Sequence, residues 1–110
     1  MIVALHSVLR PGMVEEYETR HRTIPDALVA TFAKIGIHQW QIWRSDHDLF
    51  HLVECDDWGA ANVALDTDPA NAQWQEWIGV CVDHFAQVGG PGAAGMVLPK
   101  VWSLSDQVGA

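Results

Sequence analysis

Pro25 limits what this chain can become more than any other residue. The stretch Glu15-Glu16-Tyr17-Glu18-Thr19-Arg20-His21-Arg22-Thr23-Ile24-Pro25 reads as helix, because it mixes acids and arginines without a β-branched run and starts after Pro11-Gly12. Pro25 has no N–H to offer the carbonyl of His21, four residues earlier. The helical region from Gly12 to about Ile35 must therefore kink or restart near Pro25. Thr23 is placed to cap the second part, and Gly36 to end it in the left-handed conformation. Before the break, Tyr17 and His21 lie one turn apart on one helix face. A phenol beside an imidazole at a distorted turn is a candidate acid–base pair. The same spacing also suits two half-buried helix residues with their polar tips in water.

The flanking segments read as strands. Ile2 to Leu9 is nearly continuous apolar sequence with β-branched members, as in a strand buried on both faces. Ile37 to Arg44 alternates, with Gln39 and Gln41 on one side and His38, Trp40 and Ile42 on the other. The more apolar side must meet the helices, which directs His38 and Trp40 towards Tyr17 and His21. Ser45-Asp46-His47-Asp48 is a turn and Leu49 to Cys55 a returning strand, giving a hairpin. His51 on that strand either joins the Trp40 layer or sits at a wet edge, and the edge is expected.

Asp56-Asp57 opens a short helix over Trp58 to Leu65, with acid at its N-terminal end. Thr67-Asp68-Pro69 ends that element and starts the next. Trp74, Trp77, Ile78, Cys81, Val82 and Phe85 recur at helical spacing, the clearest amphipathic stripe in the chain. Trp74, at the N-terminal end of the stripe, is the member placed to reach a cavity. Gln87 to Gly95 is rich in glycine and reads as a flexible connection, and Val97 to Leu104 as a last strand with Pro99 marking an edge.

These elements run β-α-β-β-α-β over one domain, residues 1–110, an α+β ferredoxin-like arrangement with helices on one face of an antiparallel sheet. Its other face is left apolar, which predicts a symmetric sheet-on-sheet homodimer, with the glycine-rich connection letting the last strand cross to the partner. The net charge of −8 and the pI near 4.9 argue against nucleic acid and anionic membrane as partners. No apolar run is long enough to span a bilayer, and the apolar start is too short and lacks the basic lead-in of a signal peptide. Cys55 and Cys81 show no pairing pattern, as expected of reduced thiols in the cytoplasm. The six histidines include no HxxxH pair on a helix, so no metal site is expected.

With these residues in place the sequence resembles the L-rhamnose mutarotase family, small dimeric ferredoxin-like proteins that interconvert the anomers of a 6-deoxy sugar. The resemblance runs from the first strand through Glu16-Tyr17, Arg20-His21, Gly36-Ile37-His38, Phe50 to Glu54, Thr67-Asp68, Trp74 and Val101-Trp102-Ser103-Leu104. It implies His21 as the catalytic histidine, Tyr17 as a sugar-contacting tyrosine, Trp40 as a second-strand contact, and Trp74 with Gln75 in the place of a Trp-Trp pair. Two positions depart from the pattern. Trp40 stands where a phenol is usual, and Gln75 stands where an aromatic ring is usual. Pro25 also falls about two residues early.

Mutarotation needs no cofactor: a base takes the anomeric proton while an acid protonates the ring oxygen, and imidazole can serve either step near neutral pH. The resemblance makes His21 the principal proton carrier, with Tyr17 as its orienting or proton-sharing catalytic neighbour, and Trp74 and Trp40 as walls against the apolar face of the sugar. L-rhamnose is the expected substrate, with L-fucose the alternative. A cofactor-free monooxygenase of the same fold and a non-catalytic metabolite-binding dimer are the competing functions.

Overall fold

The computed structural model of the chain describes residues 1–109. Strand β1 (Ile2–Leu9) is followed by helices α1 (Val14–Arg20) and α2 (Asp26–Lys34), then by the hairpin β2 (Ile37–Ser45) and β3 (Asp48–Cys55). Helices α3 (Trp58–Asp66) and α4 (Pro69–Ile78) lead through a 3₁₀ turn (Gly79–Cys81) into β4 (Val82–Phe85). The sheet order is β2-β3-β1-β4 with every neighbour antiparallel, the ferredoxin-like topology.

The helical region breaks between His21 and Pro25, and Pro25 itself occupies the N-cap position of α2. Thr23 makes no capping bond there, contrary to expectation, because the restart falls two residues later than a Thr23 cap requires. Gly36 takes φ +81° and turns the chain into β2. Asp57 and Asp68 cap α3 and α4 by accepting the N–H groups of Ala60 and Asn71, and Pro69 opens α4. Thr31 Oγ1 donates to Asp68 Oδ1 (3.1 Å), which ties α2 to the start of α4.

The helices cover one sheet face. Val3, Leu5, Ser7 and Leu9 of β1 point into it, as do Leu49, His51, Val53 and Cys55 of β3. They meet Tyr17, Leu28, Trp58, Ala61, Leu65, Trp74, Ile78 and Cys81. Among the described residues no helix covers the other side of β1, the face expected to meet a partner's sheet. Ile2, Trp43 and Phe50 are exposed there, and His6 stacks on Phe50 at 4.8 Å while its Nε2 lies 2.7 Å from Asp48 Oδ1.

The fourth strand lies earlier than expected, at Val82–Phe85 instead of Val97 to Leu104. The helical stripe holds through Trp74, Ile78 and Cys81, which are buried, but Val82 to Phe85 is a strand paired with Ser7 to Leu9. Val82 and Phe85 fit a helical period by coincidence, and their edge of β1 was open to pairing. The segment expected as the last strand touches the sheet only at its start. Val97 bridges Leu5, and Leu98 N–H donates to Ala4 O (2.8 Å), after which Val101, Trp102 and Leu104 stand exposed. Leu104–Gln107 forms one helical turn, α5.

The glycine-rich connection is folded, not a slack linker. Gly95 O accepts the N–H groups of Val88 (2.9 Å) and Gly89 (3.1 Å), and Gly95 N–H donates to Gly92 O (3.1 Å). A Cβ on Gly95 would lie 1.7 Å from Gly90 O, so this loop closes only around glycine.

Candidate active site

The break before Pro25 leaves His21 as the C-cap of α1, its N–H donated to Tyr17 O at 2.9 Å. Arg20 fixes that turn against α4. Its Nε donates to Glu16 Oε1 (2.6 Å), its Nη1 donates to Trp77 O (2.8 Å), and the guanidinium lies 4.1 Å from the Trp77 ring centroid. Trp77 Nε1 donates back to Arg20 O (3.4 Å). With the two helices docked, Trp74 meets His21 edge-on, ring centroids 5.0 Å apart at 86°, and the Tyr17 ring lies 5.3 Å from that of His21 at 48°.

Burial sets the protonation of both groups. It lowers the pKa of His21, offset in part by the backbone bond at His21, so the imidazole is neutral and can accept a proton at pH 7. Burial, with the Cys81 thiol adding to it, pushes the Tyr17 phenol well above its usual range, so Tyr17 remains a donor.

A second set of side chains lies further along the same cavity. His51 is buried, not at a wet edge: β3 is an interior strand, and His51 stands between Leu5 of β1 and Ile42 of β2. Its Nδ1 accepts the indole N–H of Trp40 (3.1 Å), and an indole can only donate, so the ring proton sits on Nε2, facing Ser7 Oγ at 2.8 Å. Burial first, then charge at His21 and His6, pushes the His51 pKa down to about 4. Trp40 also stacks on Phe32 at 5.7 Å and meets Trp58 edge-on at 5.9 Å. Ser7, His51 and Trp58 were not among the expected site residues. The signal for the first two was present, since Ser7 and His51 are polar at inward positions of otherwise apolar alternating strands.

His38 does not join Tyr17 and His21 as expected. A β-bulge between Ile37 and Gln39 makes His38 the extra residue, so Ile37 and Trp40 face the helices while His38 turns to the rim. Its Nε2 lies 2.8 Å from Asp56 Oδ1. Gln75 is exposed on α4 beside Trp74, with its Nε2 3.4 Å from Asn71 Oδ1. Tyr17, His21, His38, Trp40, Asn71, Trp74 and Gln75 all line one cavity of about 960 Å³. Among the described residues, no three His, Cys, Asp or Glu side chains converge as a metal site, and no helix is long and apolar enough to cross a membrane.

Fold and site together define an α+β barrel-less sheet domain that presents an imidazole, a phenol and indoles to a helix–sheet cavity. Comparison with known proteins narrows that class. A family model described as L-rhamnose mutarotase matches residues 2–104. A curated L-rhamnose mutarotase of Paraburkholderia phymatum is 31% identical over 77 residues, 68% of each chain. Another, of Burkholderia ambifaria, is 43% identical over 44 residues, 40% of this chain and 42% of that protein. Among solved structures, an L-rhamnose mutarotase from Formosa agariphila superposes with a TM-score of 0.72 at 15% identity, covering 94% of this chain and 98% of its own. Tetracenomycin F2 cyclase from Streptomyces glaucescens gives 0.64 at 16% identity over 94% and 95%. The chain belongs to the L-rhamnose mutarotase family, and so to the carbohydrate isomerases.

The His51 geometry carries its own prediction. An NMR titration of the imidazole signals should find His51 neutral through pH 6, with its Nε2 protonated, and titrating near pH 4. Because the unfolded chain takes a proton at this position below about pH 6.5 and the folded chain does not, stability should also fall with acid over that interval. A His51 midpoint at or above 6.5 would contradict the burial argument.

Proposed function

We propose that the protein is an aldose mutarotase that interconverts the α and β anomers of a 6-deoxy sugar, L-rhamnose first, with His21 as proton carrier and Tyr17 as its partner. The observation that carries the reading is an imidazole held neutral in a cavity wall beside a phenol and an indole. His21 takes the proton of the anomeric hydroxyl as the bond from C1 to the ring oxygen breaks, and the imidazolium so formed passes that proton to the departing ring oxygen, leaving an open chain with an aldehyde. The aldehyde turns about C1–C2, the hydroxyl oxygen attacks its other face, and the protons return. Tyr17 holds its proton too tightly to release it outright, so its part is to donate a hydrogen bond that orients the sugar and shares charge. No cofactor enters these steps.

The walls suit a 6-deoxy sugar. Trp74 and Trp40 offer flat surface to its apolar face and methyl group. The Trp40 N–H is already given to His51, so this wall offers no hydrogen bond where a phenol would. Discrimination between L-rhamnose and L-fucose then falls to polar groups at the rim, Gln75, Asn71 and His38. Two unpaired buried thiols, Cys55 and Cys81, suit a reducing cytoplasm. The working form in this reading is a homodimer. The uncovered face bearing Ile2, Phe50, Leu52 and Trp43 packs on its copy, and the exposed Val101, Trp102 and Leu104 reach across.

NMR saturation transfer between the anomeric signals of L-rhamnose tests the reaction. The wild-type protein should accelerate exchange. His21→Ala should lose about 10²-fold or more of that acceleration, and Tyr17→Phe less, because it keeps the ring. Wild-type exchange in His21→Ala would remove His21 as proton carrier. Sedimentation at micromolar concentration should give a dimer, and a folded monomer would overturn the assembly.

A further inference from the structure

The cavity is larger than the reaction needs. At about 960 Å³ it reaches the top of the roughly 300–1,000 Å³ range of pockets that enclose drug-sized ligands. A free 6-deoxyhexose has roughly a dozen non-hydrogen atoms, a fraction of such a ligand.

Its two halves also differ in chemistry. Around Tyr17, His21 and Trp74, the rim carries the amides of Asn71 and Gln75. Around Trp40, Phe32, Trp58 and Phe85, the walls are rings, and every polar side-chain atom among them is already used within the protein. Trp40 gives its N–H to His51, His51 is paired with fully buried Ser7, and Trp58 donates to Ala93 O (3.1 Å). No buried side-chain nitrogen or oxygen among the described residues lacks a partner. A second sugar ring laid against these rings would give up hydrogen bonds to water and find none in return from Trp40, His51 or Trp58, the other polar lining on the same elements being Gln39 on β2 and Asn62 and Asp66 on α3. A flat apolar group would gain stacking and burial.

We propose that the half of the cavity walled by Trp40, Phe32, Trp58 and Phe85 is a second subsite, for a flat apolar group, such as an aryl ring, carried on a non-anomeric oxygen of the sugar. The inference rests on the mutarotase reading of the first half, since ring opening requires the anomeric hydroxyl to be free and so places the group on another oxygen. His51 is a positioning residue in this scheme. By accepting the indole N–H it holds Trp40 at 23° to Phe32, the near-parallel pair on which a third ring can pack, and it takes up the indole donor of that pair.

The test uses L-rhamnose and its three mono-O-benzyl derivatives at O2, O3 and O4, with binding measured by calorimetry and anomer exchange by NMR. At least one benzyl derivative should bind about tenfold or more tightly than L-rhamnose. Phe32→Leu, which keeps an apolar side chain but removes the ring, should bring that ratio towards one. Benzyl derivatives that all bind no more tightly than the free sugar would overturn the subsite, whether or not exchange occurs. A benzyl advantage that persists undiminished in Phe32→Leu would place the group elsewhere and also overturn it. Failure of the mutarotase reading shows separately, as absence of accelerated exchange for every sugar.

Discussion

Arg20 packed on Trp77 is the contact on which the site depends. Pro25 ends α1 early and leaves its last turn without a covalent reason to lie in any one place. The guanidinium over the indole, its bond to Trp77 O and the returning indole bond to Arg20 O lock that turn to α4. A partly exposed cation–π pair contributes only about 0.5–1 kcal/mol. Its effect is positional: residues on either side of the clamp, His21 on α1 and Trp74 on α4, arrive within 5.0 Å of one another. Neither helix is long enough to hold that geometry alone.

The sheet supplies the rest by treating its two faces unequally. One face carries the apolar residues that bury under the helices, and it admits two polar groups, Ser7 and His51, only as a bonded chain ending at Trp40. A buried imidazole without those partners would cost the desolvation of two nitrogens. With them, Trp40 and His51 face the cavity with their ring nitrogens already paired. The opposite face keeps apolar side chains, Ile2, Trp43, Phe50 and Leu52, exposed.

Local order was legible in the sequence; pairing was not. Pro25, Gly36, Asp57, Asp68 and Pro69 act through the backbone next to them, and the helix break, the turn into β2 and the caps of α3 and α4 fall at or beside them. Tyr17 beside His21 and Trp74 at the cavity could be read from spacing, whereas the βαββαβ order was reached with Val97 to Leu104 as its last strand in the place that Val82–Phe85 takes. The bulge that turns His38 away depends on how β2 registers against β3, and the burial of His51 on β3 lying between β2 and β1. Both are long-range facts. Val82 to Phe85 misled because its apolar residues satisfy a helical period and a short strand alike, and only the open edge of β1 decides between them.

The central claim is that a neutral His21 moves the proton, so the most direct measurement is the catalysed rate of L-rhamnose anomer exchange against pH. Burial lowers the pKa of His21, and protonation removes the lone pair that accepts the anomeric proton. The account predicts a rate that is flat through neutral pH and falls only below about 6.5, with a midpoint that matches the titration of the His21 imidazole signal. A midpoint at or above 6.5, or a rate that rises as His21 becomes protonated, would contradict it.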